Sequence, residues 1–173
     1  MKEEKVVFVT EYESPCGVLL LGGLGDRLCM CDWKNGKNHG LVERRLRQSL
    51  NVCFSPGITE VTEHAATQLD EYFAGRRREF SVPLLFAGTE FQQEVWREML
   101  NVGYGETVSY GELARRIGRP RSVRAVANAC GGNAISVLAP CHRVVGSDGR
   151  LTGYAGGVEV KEALLALERE SLF

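Results

Sequence analysis

Two helix-start signatures in the C-terminal half constrain the fold of this chain more than any other feature of its sequence. Thr89–Gln92 and Ser109–Glu112 each place Gln or Glu three positions after a hydroxyl residue, which is the pattern of a capping box. Apolar residues at helical spacing follow the first signature, and Gly103–Gly105 is predicted to end that helix. The second signature opens another helix shortly afterwards, so this half is predicted to be mainly helical.

A tight turn separates the second of these helices from a third. Gly118 is predicted to end the second helix, Pro120 prevents its continuation, and Ser122 caps a helix that runs to about Cys130. Two short helices around such a turn indicate a helix-turn-helix. The third helix carries small side chains where a major-groove reader would carry polar ones. It therefore fits either close backbone approach to DNA or tight packing in a helical bundle.

The N-terminal half predicts a small α/β unit. Apolar runs indicate strands at Val6–Thr10, Val18–Leu21 and Leu28–Trp33. Val42–Leu50 is predicted to form a short helix, and Thr62 is predicted to open a second helix.

The segment Arg76–Pro83 has the composition of a connector between the two halves. We therefore predict an N-terminal domain at residues 1–80 and a C-terminal domain at residues 84–173. The fold class that follows is α/β (α+β), a small sheet-plus-helix domain followed by a mainly helical one.

Positive charge is concentrated in the C-terminal half, although the whole chain carries a formal net charge of −1. Residues 107–158 contain seven arginines against Glu112 and Asp148, a local charge of +5, so the remainder sums to −6. Five of these arginines lie within residues 115–124. An arginine cluster is often only a solvated face, but a basic module beside an acidic one is also typical of a phosphate-binding surface.

The six cysteines are predicted to be free thiols of a cytoplasmic protein. None forms a Cys-x-x-Cys pair, the first five residues lack the apolar stretch of an export signal, and a 173-residue chain with 44% apolar residues can bury a core without disulfides. No apolar run approaches the roughly 20 residues that a membrane-spanning helix needs, so no membrane association is expected. The candidate zinc ligands fit no standard spacing, so no metal is expected; they are Cys16, Cys29, Cys31, His39 and His64.

Cys141 is the candidate nucleophile. It follows the apolar run Ile135–Ala139, which predicts a buried strand that ends at the rim of the core, and it precedes His142 and Arg143. The thiolate is the attacking species, and a neighbouring imidazole or guanidinium lowers the pKa of a cysteine. A core cysteine that happens to precede a histidine would fit the same residues, because free cysteine is among the most buried residue types. The basic segment and the helix-turn-helix favour the catalytic interpretation.

The spaced motifs of the C-terminal half resemble those of the O6-alkylguanine-DNA alkyltransferases, the methylated-DNA–protein-cysteine methyltransferases. The resemblance is dense over residues 88–170, and residues 68–75 resemble the end of the family's N-terminal domain, so it covers nearly the whole chain. Together the motifs are far more specific than any one of them. They are Gly88-Thr89-x-Phe91-Gln92-x-x-Val95-Trp96, Tyr104-Gly105-x-Thr107-x-Ser109-Tyr110, Arg124-Ala125-Val126, Asn133, Pro140-Cys141-His142-Arg143-Val144 and Gly153-Tyr154-x-Gly156-Gly157.

The resemblance implies a ribonuclease H-like N-terminal domain and a winged-helix-like C-terminal domain with a helix-turn-helix. It implies irreversible, single-turnover transfer of the alkyl group from O6-alkylguanine, and also from O4-alkylthymine, to a cysteine of the protein after base flipping. The implied partner is double-stranded DNA. No cofactor is implied, and we expect a monomer without an obligate protein partner.

The resemblance also assigns catalytic roles residue by residue. Cys141 matches the cysteine that accepts the alkyl group, and His142 matches the base that deprotonates it through a bound water. Glu168 matches the acid that orients this imidazole, so the three residues resemble a hydrolase triad used for alkyl transfer. Asn133 matches the asparagine that ties the recognition helix to the active-site strand. Tyr110 matches the tyrosine that rotates the target phosphate and donates a hydrogen bond during the reaction.

Further residues match the family's DNA-contact surface and base pocket. Arg124 matches the arginine that enters through the minor groove and fills the gap left by the extruded base. The other implied DNA contacts are Ser122, Ala125, Ala127 and Ser147. The implied walls of the pocket around the flipped base are Val144, Tyr154, Gly156 and Gly157.

Two other functions share part of this pattern. A lesion-binding module without transfer activity would carry every motif except the acceptor thiol, so Cys141 argues against it. A Cys-His hydrolase would use the same nucleophile and base but would give the helix-turn-helix and Arg124 no role. The sequence departs from the family at Ala134, where many members have proline, and it lacks the zinc ligands of some animal members.

Overall fold

The computed structural model describes residues 3–172 and has a four-stranded sheet in its N-terminal part. Its strands are β1 Lys5–Ser14, β2 Gly17–Leu24, β3 Arg27–Trp33 and β4 Val52–Pro56, and two helices accompany it, α1 His39–Leu50 and α2 Glu60–Phe73. The strand order is β3-β2-β1-β4; β1, β2 and β3 pair antiparallel, and β4 pairs parallel with β1.

The C-terminal part is mainly helical. Its elements are α3 Glu90–Met99, β5 Val108–Ser109, α4 Tyr110–Arg116, α5 Val123–Gly131, β6 Val144–Val145 and α6 Val158–Glu170, with a 3₁₀ turn at Cys141–Arg143. Its only sheet within the described residues is the short parallel pair of β5 with β6. Helices α4 and α5 form the helix-turn-helix, and α6 ends the fold. The predicted fold class, a sheet domain followed by a mainly helical domain, is confirmed.

The three predicted strands are confirmed, but a fourth strand was not predicted, and one helix start was predicted incorrectly. The short strand β4 was missed because its five residues lack a clear apolar alternation. Helix α2 begins at Glu60 rather than at Thr62. Thr59 is the N-cap, and the Thr62 hydroxyl accepts from the Thr59 N–H at 2.9 Å, so threonine takes the place of the usual Glu or Gln in this capping box.

Helix boundaries in the C-terminal half confirm the first capping box and correct three other predictions. The Thr89 and Gln92 capping bonds are both present, but α3 already ends at Met99, ahead of the predicted glycines. Ser109 accepts from the Glu112 N–H, yet the Glu112 carboxylate pairs with arginines of its own helix instead of completing a second capping box. Ser122 occupies the N-cap of α5 without a side-chain capping bond.

The edge strand β3 joins the two parts of the chain. Leu28 pairs with the segment after α2: its N–H donates to the Pro83 carbonyl at 2.8 Å, and its carbonyl accepts from the Leu85 N–H at 2.9 Å. Further along the same edge, Cys31 pairs with the segment that leads to Cys141. The N-terminal sheet therefore fixes the backbone from which the candidate nucleophile projects.

Candidate active site

The apolar run before Cys141 is a compact turn rather than the predicted strand. Ile135 makes a single bridge to Cys31 of β3, and the Ala139 N–H then donates back to the Ile135 carbonyl at 3.0 Å. Val137 between them has φ of 69°, a left-handed conformation that β-branched residues rarely adopt. Burial accounts for the apolar composition, since Ile135 and Ala139 are 1% and 0% exposed. An apolar run does not distinguish such a buried turn from a strand.

Asn133, which follows α5, holds this turn together. Its Oδ1 accepts from the Ile135 N–H at 3.0 Å, and its Nδ2 lies 2.9 Å from the Ala139 carbonyl and 3.3 Å from Cys141 Sγ. Its own N–H donates to the carbonyl of Cys130 on α5 at 3.3 Å. The structure thus places Asn133 between the helix-turn-helix and the candidate nucleophile.

Cys141 lies in the 3₁₀ turn and is only 6% exposed. Burial raises the pKa of its thiol above the usual value, while the hydrogen bond from Asn133 and the charge of Lys161 act to lower it. The raised pKa leaves the thiol mostly protonated near neutral pH, so the site needs a base to produce the thiolate.

The candidate base, His142, is fully buried against Glu168 of α6. Its Nε2 lies 2.7 Å from Glu168 Oε2, and both side chains are 0% exposed. Arg143 donates from Nε to Oε1 at 2.8 Å and from Nη2 to Oε2 at 3.1 Å. The Tyr72 hydroxyl donates to Oε2 at 2.6 Å, and the Gly105 N–H donates to Oε1 at 3.2 Å. One carboxylate therefore joins α2, the loop before β5, the active-site turn and α6.

The surroundings of the His142–Glu168 pair lower the pKa values of both of its members. Burial acts to raise the pKa of Glu168, but the hydrogen bonds from His142 and Arg143, together with the positive charge of Arg143, outweigh it and lower that pKa to about 2. Burial, together with the neighbouring cations Arg143 and Lys161, lowers the pKa of His142 despite the carboxylate. At neutral pH an ionised Glu168 therefore accepts from the Nε2–H of a neutral imidazole. Nδ1 is left unprotonated, and it has no hydrogen-bond partner within the described part of the chain.

The sequence did not predict the contacts that three further residues make in this site. Arg143 was considered only as a neighbour of Cys141, whereas its guanidinium binds Glu168 and the Val102 carbonyl. Tyr72 was not singled out as a site residue, although its hydroxyl donates to Glu168 Oε2. Lys161 is 1% exposed and donates to the Val144 carbonyl at 2.6 Å. The only signal for Lys161 was a cation on the apolar face of α6, and nothing in the sequence identified its partner.

Two adjoining cavities lie in front of Cys141. The inner cavity has a volume of 40 Å³ and is lined by residues that include Tyr110, Cys130, Cys141 and Tyr154. The outer cavity has a volume of 510 Å³ and shares Tyr110 and Tyr154 with it. Because they share lining residues, the two cavities lie side by side, and the thiol lies at the inner one.

The other residues predicted for the pocket and the DNA surface are spread over this face. Gly157 and Ala127 line the outer cavity, whereas Val144 and Gly156 line neither cavity. Ser122 is half-buried, and Arg124, Ala125 and Ser147 are exposed. Arg124 forms no ion pair or hydrogen bond within residues 3–172, so its guanidinium is available to a ligand.

Comparisons with known proteins cover both parts of the chain. Residues 7–86 match the family described as "6-O-methylguanine DNA methyltransferase, ribonuclease-like domain", and residues 90–170 match its "DNA binding domain". The methylated-DNA–protein-cysteine methyltransferase of Mycobacterium tuberculosis H37Rv is 44% identical over 163 residues, covering 91% of this chain and 89% of that protein. The methylated-DNA–protein-cysteine methyltransferase of Methanosarcina acetivorans is 41% identical over 157 residues, covering 91% of this chain and 95% of that protein.

Solved structures agree with the sequence comparison. The crystal structure of Mycobacterium tuberculosis OGT in complex with DNA superposes with a TM-score of 0.80 at 40% identity, covering 96% of this chain and 94% of that chain. The O6-methylguanine-DNA methyltransferase of Pyrococcus kodakaraensis superposes with a TM-score of 0.61 at 28% identity, covering 94% and 98%.

The lowered pKa of Glu168 predicts a specific pH dependence of stability. A carboxylate with a pKa of about 2 in the folded state stabilises the protein above its ordinary pKa of 4.5, and this contribution is lost as pH falls from there toward 2. Glu168→Gln should lower the free energy of unfolding by ~3–5 kcal/mol at pH 7, because Arg143 is left buried without its counter-charge. Urea unfolding measures this difference, which should shrink steadily as pH falls below 4.5.

The matched control for that measurement is Glu170→Gln, since Glu170 is exposed on the same helix. It should leave the free energy of unfolding nearly unchanged at every pH. A difference between wild type and Glu168→Gln that stays constant from pH 7 to pH 3 would show that the ionised carboxylate contributes nothing.

Proposed function

We propose that this chain, a member of the 6-O-methylguanine DNA methyltransferase family by its matches over residues 7–86 and 90–170, repairs DNA by alkyl transfer. The alkyl group of O6-alkylguanine in duplex DNA moves onto Cys141. The observation that carries this assignment is the position of the thiol at the inner cavity, held by Asn133 and followed directly by the buried His142–Glu168 pair.

The proton path follows from the tautomer of His142. Its Nε2–H is committed to Glu168, so the unprotonated Nδ1 takes the proton of the Cys141 thiol through a water. The thiolate then attacks the sp³ carbon bound to O6. A C–S bond forms as the C–O bond breaks, and guanine leaves as its anion. The guanine then takes up one proton, which balances the proton that His142 accepted from the thiol. No step needs an oxidant, a metal or a cofactor.

Single turnover follows from the product. A thioether is not a substrate for the base at this site, so the alkylated Cys141 has no route back to the thiol. Each protein molecule is therefore consumed by one repair event. Turnover would need a second nucleophile that takes the alkyl carbon from Cys141, and the proposed path contains none.

The two cavities suggest how the damaged nucleotide is held. The O6-alkyl carbon lies inside a DNA duplex, so the nucleotide must leave the stack at a cost of a few kcal/mol. We assign the outer 510 Å³ cavity, which Gly153 and Tyr154 help to line, to the flipped base. The alkyl carbon then enters the inner cavity beside Cys141. The O4-alkyl carbon of thymine presents the same ether to the thiol from a smaller base, so it is proposed as a second substrate.

The exposed face of α5 is proposed to enter the minor groove. Small side chains such as Ala125 and Ala127 allow the helix backbone to approach the phosphates closely, and Arg124 is the cation placed to reach into the base stack. Contacts of this kind carry little sequence information, which suits a search for damage in any sequence. Ser122 and Ser147 are proposed as further contacts to the DNA backbone.

We further propose that the protein acts as a monomer in the cytoplasm without an obligate protein partner. No helix in residues 3–172 is long and apolar enough to cross a membrane. The division into domains at residues 1–80 and 84–173 stays a prediction.

Stoichiometric alkylation tests the proposed function directly. When the protein is incubated with excess duplex DNA that contains O6-methylguanine, repair should stop at one methyl group per protein molecule. Intact mass spectrometry should show the gain of one CH₂ unit, located on the Cys141 peptide. Cys141→Ser should abolish transfer and retain DNA binding, whereas Cys53→Ser, at a half-buried thiol on β4, should transfer normally. Repair of many equivalents per protein would contradict the proposal.

The role of Arg124 is tested by comparing two forms of the same substrate. Arg124→Ala should slow repair of O6-methylguanine in duplex DNA at least tenfold more than repair of the same lesion in a single strand, where no partner base must be separated. The control is Arg121→Ala, which removes one exposed cation from the same basic segment. This variant should weaken binding to the duplex and to the single strand similarly, and it should flatten the salt dependence of DNA binding by about one ion. Equal behaviour of the two variants at saturating DNA would make Arg124 a phosphate contact only.

A further inference from the structure

The pocket loop, residues 153–157, helps to line the outer cavity. Trp33, the last residue of β3 in the N-terminal domain, contacts this loop. It is 3% exposed, and its indole Nε1–H donates to the hydroxyl of Tyr154 at 3.2 Å. The two rings meet edge to face, with centroids 6.4 Å apart and an interplanar angle of 66°. A tryptophan that is buried by packing and also held by a hydrogen bond has little freedom to move.

The same loop has no spare room on its N-terminal-domain side. A Cβ atom added to Gly156 would lie 2.9 Å from Cδ1 and from Nε1 of Trp33, which is closer than carbon atoms in proteins approach. A Cβ atom added to Gly36 would lie 2.8 Å from the Ala155 carbonyl oxygen. Two glycines, one on each side of the contact, therefore permit close packing of the loop against the end of β3.

Tyr154 carries this contact into the inner cavity. Its side chain lines the 40 Å³ space in front of Cys141 and is 9% exposed. A cavity that accommodates a benzene ring has a volume of roughly 150 Å³. The inner cavity therefore has room for a methyl group, whereas a benzyl ring fits only if one of the cavity walls moves, and Tyr154 forms one of these walls.

We infer that Trp33 is a positioning residue that fixes Tyr154 and thereby restricts the acceptor cavity to small alkyl groups. The inference rests on the proposed transfer to Cys141 and adds its substrate class, O6-methylguanine in preference to O6-benzylguanine. It assigns to the N-terminal domain a part in alkyl-group selection, through one indole N–H and one ring.

The test compares two lesions in the same duplex sequence, O6-methylguanine and O6-benzylguanine, by single-turnover rates and intact mass. Wild-type protein should transfer methyl much faster than benzyl. Trp33→Phe removes the indole donor and leaves a gap behind Tyr154, so the benzyl-to-methyl rate ratio should rise about tenfold, the equivalent of one buried hydrogen bond. The methyl rate itself should change little, since the methyl group already fits.

The matched control is Trp96→Phe. Trp96 also donates a buried indole N–H, to the Ala129 carbonyl at 2.8 Å, but its ring packs against Phe86. This variant should lose similar stability and keep the wild-type rate ratio. Tyr154→Phe, and its combination with Trp33→Phe, complete a double-mutant cycle. If the two side chains act through one hydrogen bond, their effects on the rate ratio should be non-additive.

Each outcome separates this inference from the proposed function. A rate ratio in Trp33→Phe equal to that of wild type or of Trp96→Phe would overturn the positioning role while methyl transfer to Cys141 remained. Additive effects of Trp33→Phe and Tyr154→Phe would overturn it as well. Failure of the wild-type protein to gain mass from either lesion would instead contradict the proposed function itself.

Discussion

The buried carboxylate of Glu168 is the contact on which the rest of the site depends. It accepts hydrogen bonds from Tyr72 in the N-terminal domain, from the Gly105 backbone and from Arg143, and it binds His142. A buried charge of this kind is tolerated only when it is paired and hydrogen-bonded, so each partner is held in one place. The carboxylate therefore sets both the relative position of the two domains at this point and the orientation of the imidazole.

The contacts around Glu168 supply what the proposed activation of the buried thiol requires. Arg143 supplies the counter-charge, which leaves His142 neutral and able to act as a base. Asn133 and Lys161 act on the other reactant, since they favour the thiolate of Cys141 against the effect of burial. The N-terminal sheet contributes rigidity, because β3 pairs with the turn that carries the thiol and its last residue contacts the pocket loop.

Local patterns predicted most of the fold, and the spaced motifs named residues that the structure brings together around Cys141, whose roles stay predictions. Apolar runs located β1, β2 and β3, and the capping box at Thr89 located α3. The turn before Cys141 was predicted as a strand because burial, not extension, selects its apolar residues. The partners of Glu168 could not be predicted in full, because Tyr72 lies 96 residues away in sequence. Only packing between the domains brings these two side chains together.

The proposed activation of Cys141 depends on the tautomer of His142. In protein labelled with ¹⁵N-histidine, NMR correlation through two- and three-bond couplings reports which ring nitrogen carries the proton. The proposed mechanism requires a neutral His142 at pH 7 with the proton on Nε2 and none on Nδ1, and this state should persist below the ordinary histidine pKa of about 6.5. An imidazolium at pH 7, or a proton on Nδ1, would contradict it, because His142 could not then accept the proton of Cys141.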